Sequence, residues 1–244
     1  MWQIRAMSGM TKDIPITLDS TAVGNHMKIV VFGSKLSVVT SQDINIAWQV
    51  IPSGSVASFQ YPYETNIGVY YYSGSNKILV LSQVAAAPGT TWDYLAKSSD
   101  EEGTIKLDQS VGTRSDGMYA ILNQKPDAWS GRLVNVGLYK DSKLFMVEPS
   151  VGVDTYAEMT VSNKLYFAVV VHSDSITNGK MFVPSFVNVF AKQNSANTIL
   201  PEVLEAQVSQ LKEVDLNQYP NGVTVTITQD RSTLRFIFDM KATK

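Results

Sequence analysis

Short apolar runs rich in Val, Ile, Tyr and Phe recur along most of the chain, separated by clusters of Gly, Ser, Asn, Asp and Pro. This punctuation predicts antiparallel sheets, because β-branched and aromatic side chains suit a pleated, half-buried surface and the small polar residues suit tight connections. Strands are expected at 14–18, 27–32, 36–39, 44–50, 67–72 and 77–84. A second series follows at 104–107, 119–122, 133–139, 143–147, 158–161, 165–171 and 181–190. Phe32-Gly33-Ser34-Lys35 and Tyr72-Ser73-Gly74-Ser75-Asn76-Lys77 read as hairpin turns, since Gly and Asn accept the positive φ that such turns require.

Helical periodicity is rare. It is clearest over 201–214, where Pro201 suits a first turn and Leu200, Leu204, Val208 and Leu211 repeat at spacings of four, four and three. After this expected helix, Val223-Thr-Val-Thr-Ile-Thr and Leu234-Arg-Phe-Ile-Phe-Asp-Met, joined by Gln229–Thr233, predict a terminal hairpin that packs on its own domain or on a second copy. The Ala-Ala-Ala-Pro-Gly-Thr-Thr-Trp stretch and the acidic run Asp100-Glu101-Glu102 interrupt the strands over 85–102, and the main internal boundary is expected there. The resulting picture is a mainly β chain of antiparallel β-sandwich units, one large or two packed, with one C-terminal helix. Its parts are a leader over 1–12, β-units over 13–90 and 103–192, and a helix plus hairpin over 198–244, packed on the β-units or on a partner subunit. Two echoes leave a duplication open: Ile16-Thr-Leu-Asp-Ser against Ile105-Lys-Leu-Asp-Gln-Ser, and Val69-Tyr-Tyr-Tyr against Val136-Gly-Leu-Tyr.

Composition narrows the function. Twenty basic against 22 acidic residues leave a net charge of −2, with no basic stretch dense enough to neutralise a row of phosphates, so nucleic acid is not an expected partner. The chain has no cysteine, which removes disulfides, thiolate catalysis and thiolate-bound zinc. No signal peptide, bilayer-long apolar run or Asn-x-Ser/Thr acceptor is found, so a cytoplasmic protein without membrane contact is expected.

Familiar catalytic constellations are missing: there is no G-x-S-x-G elbow, H-E-x-x-H, phosphate loop or dinucleotide glycine pattern. The two histidines, His26 and His172, flank different strands, and the adjacent residues of His172-Ser173-Asp174 point in alternating directions, which prevents a proton relay in that order. Asp93, Asp100, Glu101 and Glu102 crowd one loop region, and Asp116, Asp141, Asp154 and Asp174 lie in other turns. Such acids serve in glycoside cleavage or calcium binding, but no Asp-x-Asp-x-Asp-Gly loop occurs and no metal is expected. Aromatics are the stronger feature. Trp48, Tyr61, Tyr63, Tyr70, Trp92 and Trp129, with His172, are the candidate ligand contacts, because such rings stack on a sugar or clamp a flat conjugated molecule while OH and NH groups orient it; core packing is the competing role.

The runs Asp13-Ile-Pro-Ile-Thr-Leu-Asp-Ser-Thr-Ala-Val-Gly, Ala47-Trp48-Gln-Val-Ile-Pro52, Phe59-Gln-Tyr-Pro62 and Val69-Tyr70 resemble the leaderless β-rich proteins of mushroom fruiting bodies, oyster-mushroom chromoproteins among them. The resemblance covers mainly the first ninety residues or so. It implies a sandwich-like homodimer holding a small conjugated organic chromophore without a catalytic cycle. No Tyr-Gly dipeptide is present for a self-made chromophore, and Phe32-Gly33 reads as a turn, so any colour has to come from a bound molecule or an unusual modification. The expected function is a non-enzymatic binding protein for a small planar or aromatic ligand such as a pigment. A cytosolic lectin is the alternative, and a carboxylate-based hydrolase, for which Asp93→Asn is the diagnostic change, stands third.

Overall fold

The computed structural model describes residues 12–24, 26–34, 45–72, 78–95, 104–108, 117–124, 133–171, 176–186 and 204–243. The expected strand at 36–39, the leader up to Thr11 and the acidic run 100–102 lie outside these residues. The protein is mainly β, in two compact units. Of the described residues, those up to Tyr63, those over 163–186 and those from Leu204 form the first; those over 64–162 form the second.

Two sheets form the first unit. One joins β1 (Ile14–Ala22), β5 (Val56–Tyr61), β17 (Val223–Gln229) and β18 (Phe236–Ala242) in the order β18-β17-β1-β5, with β1 and β17 parallel. Alternation builds it: Ile14, Ile16 and Leu18 of β1 and Val223, Val225 and Ile227 of β17 are buried, while the Thr and Asp residues between them are less so. Each such aliphatic side chain contributes about 1.5–3 kcal/mol on leaving water. The other sheet joins β2 (Met27–Phe32), β3 (Asn45–Ile46), β4 (Gln49–Pro52), β14 (Lys164–Val171), β15 (Met181–Phe186) and β16 (Leu204–Asp215) in the order β3-β15-β16-β14-β2-β4. β14 is buried from Leu165 to Val170 on both faces, which suits its unbroken apolar run. Both edges of β2 are taken, by β14 and β4.

The expected helix at 201–214 is corrected: its described part is strand β16. A bulge opposite Val169/Val170 leaves Val208 facing Val170 and Leu211 facing Ala168, so apolar residues three apart share one face of an extended strand. Val208 joins the core cluster with Val30, Phe32, Ala47, Ala168 and Val170, and Leu211 packs against it. The spacing of four and three from Leu204 to Leu211 thus has a second solution, steps of two along a strand with one inserted residue, and pairing with β14 on one side and β15 on the other selects it.

The second unit also holds two sheets. β6 (Thr65–Tyr72), β7 (Ile78–Ala86), β11 (Val134–Lys140) and β12 (Lys143–Val151) run in the order β12-β11-β6-β7; β8 (Thr91–Leu95), β9 (Thr104–Leu107), β10 (Met118–Gln124) and β13 (Thr155–Thr160) run β13-β10-β8-β9. β6 and β7 pair in antiparallel fashion as expected. A two-residue turn with Asp141 at φ 52° and Ser142 at φ 57° links β11 to β12, the left-handed geometry that matches the twist of a hairpin.

The units do not divide at 85–102 or follow the expected 13–90 and 103–192. That stretch contains the end of β7 and all of β8, while the chain changes units between Tyr63 and Glu64 and again between Ser162 and Asn163. The segment from 198 is no appendage either, since its described strands complete both sheets of the first unit. The echoes at Val69 and Val136 belong to neighbouring strands of one sheet, with Val136 directly opposite Val69.

The terminal hairpin forms as expected. In its loop Leu234 has φ 57° and is 70 % exposed, so it bears left-handed strain with little burial to offset it. Leu234→Gly is expected to stabilise the fold by up to about 1 kcal/mol, the strain relieved less the added freedom of the unfolded chain, read as a rise in melting temperature.

Candidate functional site

The structure places the sequence-derived aromatics in different settings. Trp48, between β3 and β4, donates its backbone N–H to the Val31 carbonyl at 3.0 Å and is fully buried. Phe59 and Tyr61 meet its indole edge to face, at centroid distances of 5.7 and 5.8 Å. Tyr61 is buried with it, so Trp48 and Tyr61 are core of the first unit, and the half-buried Phe59 ring packs against them. Tyr63 is exposed, its backbone N–H held at 2.8 Å by the Asp13 carboxylate. Tyr70 is fully buried in the second unit. Trp92 is half-buried on β8, its indole N–H donated to Thr90 Oγ1 at 2.9 Å. Trp129 and His172 lie outside the described residues. Among the described candidates, Trp48 and Tyr61 are brought together in the first unit; they and Tyr70 are packing residues, because alternation shows which side chains share a face but not which face is covered.

What the fold does assemble is an open sheet face on β13-β10-β8-β9. Residues paired across neighbouring strands share a face, and the registers Tyr156↔Leu122, Leu122↔Asp93 and Asp93↔Lys106 set Tyr156, Leu122, Asp93 and Lys106 in one row across all four strands. Tyr156 and Lys106 are exposed, and Leu122 and Asp93 half-buried. The opposite face takes Ala157, Met159, Tyr119, Ile121, Tyr94 and Ile105 into the core.

Asp93 is the perturbed group of this row. Partial burial, and then the negative charge of Asp108, push its carboxyl above the usual range, while a hydrogen bond from Gln124 pulls the other way. Its Oδ1 is buried with no hydrogen-bond partner. Asp108 is brought close by its backbone N–H, which donates to the Thr91 carbonyl at 2.9 Å. The row thus offers a ring, an apolar step, a carboxylate with an unused acceptor, and an ammonium. Among the described residues no group of three or more His, Cys, Asp and Glu is placed to hold a metal ion, and no helix is long and apolar enough to cross a membrane.

The sequence singled out Asp93 as a loop acid, whereas it stands inside a strand. Tyr156 was overlooked, although the pattern Thr155-Tyr-Ala-Glu-Met-Thr carries its signal: small or apolar residues alternate with polar ones and Tyr156 falls in the polar set. Compared with protein-family models, with curated proteins and with solved structures, the chain matches none.

Proposed function

We propose that this chain is a non-enzymatic binding protein and that its ligand is a small ring-shaped molecule, a sugar in first place, held on the open face of β13-β10-β8-β9. The observation that carries this reading is the transverse row of Tyr156, Leu122, Asp93 and Lys106. An apolar sugar face stacks on a tyrosine ring, and its hydroxyls donate to a carboxylate.

A flat conjugated chromophore is the second reading. It is favoured by Trp92, whose N–H is already bonded and whose cross-strand neighbour Leu107 is 46 % exposed, so that an apolar flank lies beside the indole. A cytoplasmic setting belongs to both readings and is supported by a composition that needs neither disulfides nor N-glycans.

Calorimetric titration with a panel of simple sugars tests the first reading. Saturable binding is expected, weakened about tenfold by Tyr156→Ala, the loss of one stacking partner. Because the raised pKa keeps Asp93 protonated to higher pH than a free carboxylate, binding through its ionised form strengthens as pH rises through that value, and Asp93→Asn abolishes the dependence. No sugar binding, together with a visible absorption band that co-purifies stoichiometrically, would move the pigment to first place. Hydrolysis of a glycoside, lost in Asp93→Asn with folding intact, would overturn the non-enzymatic assignment.

A further inference from the structure

β18 is an edge strand, and its hydrogen-bonding parity is fixed at both ends of the hairpin. Asp230 N–H donates to the Arg235 carbonyl and Thr243 N–H to the Gly222 carbonyl, at 2.8 and 2.9 Å. Hydrogen-bonded pairs alternate along an antiparallel ladder, so Ile237, Asp239 and Lys241 turn their backbone groups toward β17. Phe236, Phe238, Met240 and Ala242 turn theirs outward. The Phe236 N–H is taken by Gln210 Oε1 at 2.9 Å. Among the described residues, no other strand pairs with the outer edge that Phe238, Met240 and Ala242 present.

The side chains beside that edge carry a self-complementary pattern. Ile237, Asp239 and Lys241 share the exposed face; Ile237 is 54 % exposed, and Asp239 and Lys241 form an exposed ion pair at 3.1 Å. A lone edge lysine keeps strands apart, whereas an acid and a base placed symmetrically about Met240 invite one partner in one register. We infer that β18 pairs in antiparallel fashion with β18 of a second copy of this chain, across a twofold axis at Met240.

Four registers satisfy the outward parity near the middle of the strand, and three of them fail. Centring on Asp239 or on Lys241 sets like charges directly opposite each other, and centring on Phe238 requires the Phe236 N–H that Gln210 already holds. Centring on Met240 places Asp239 opposite Lys241 of the partner subunit twice and joins Phe238 to Ala242 of the partner subunit twice. The four-stranded sheet then becomes a continuous sheet of eight strands with no outer edge at β18.

Sedimentation analysis of the full chain tests this pairing. The wild type is expected to be a dimer. Met240→Pro removes an N–H that the monomer does not use and is expected to weaken association about thirtyfold or more, two hydrogen bonds being lost at the axis. Since a proline can disturb the hairpin itself, the charge variants supply the second measurement. Asp239→Lys is expected to give monomers, and Asp239→Lys with Lys241→Asp is expected to restore the dimer, with unchanged circular dichroism in both. A wild type that stays monomeric at its highest soluble concentration overturns the inference. So does a dimer that persists in both Met240→Pro and Asp239→Lys, because association would then use another surface.

Discussion

Replacing Trp48 with alanine is expected to cost about 3–5 kcal/mol of stability, the range for truncating a large buried ring. The indole is fully buried, and Phe59 and Tyr61 pack edge-on against it, so alanine leaves a void that neither ring can fill without giving up the other contact. That cost is a large share of the 5–15 kcal/mol that holds most folds together. Trp92→Ala should cost about 1–2 kcal/mol, since that side chain is half-buried and loses one hydrogen bond to Thr90. Denaturant midpoints of the two variants, with ligand titrations beside them, separate the roles the sequence could not. A Trp48 variant that unfolds at the wild-type midpoint would show that its ring is not core and would return it to the set of ligand contacts.

Where a strand carries its own signal, its position was legible in the sequence. β2 and β9 match their expected bounds, and the terminal hairpin follows from Val223, Val225 and Ile227 alternating with threonine. β16 was not, because a bulge turns strand spacing into something a helix also satisfies and only pairing with β14 and β15 decides between them. β8 was hidden by the Ala, Pro and Gly around it, although Thr91, Trp92 and Tyr94 favour extended backbone. The unit boundary was illegible for a different reason. β1 pairs with β17 and β2 with β14, so the first unit is closed by strands far along the chain, and nothing near Tyr63 or Ser162 announces that the residues between them fold apart. The open face suffered likewise: Asp93 and Leu122 become neighbours only through the parallel pairing of β8 with β10, a non-local event with no local pattern.

Gly68→Ala is expected to destabilise the second unit by about 3 kcal/mol, the upper end of the range for overpacking a core. Gly68 of β6 and Gly137 of β11 face each other, and the Tyr139 ring lies across both. A Cβ on Gly68 would stand 2.8 Å from the Ser82 carbonyl oxygen and 3.1 Å from Cε2 of Tyr139. The carbonyl belongs to β7, the next strand of the same sheet, so relief requires the ladder itself to move. At Gly137 the obstacles are softer: Leu144 Cδ1 at 2.5 Å, and the rings of Tyr139 and Tyr70 each at 3.2 Å. Gly137→Ala should therefore cost about 1–2 kcal/mol, and adding Leu144→Val, which withdraws that methyl, should recover part of the loss. The same addition should do nothing for Gly68→Ala. Thermal unfolding of these four variants and of Leu144→Val alone, as two double-mutant cycles, measures the difference, and equal coupling of Leu144 to both glycines would refute this account. The pair also explains Tyr70, one of the aromatics taken from the sequence as a ligand contact: its Cε1 lies against Gly137, where the missing side chain leaves room for the ring, so the two glycines make space for the core aromatics of this sheet.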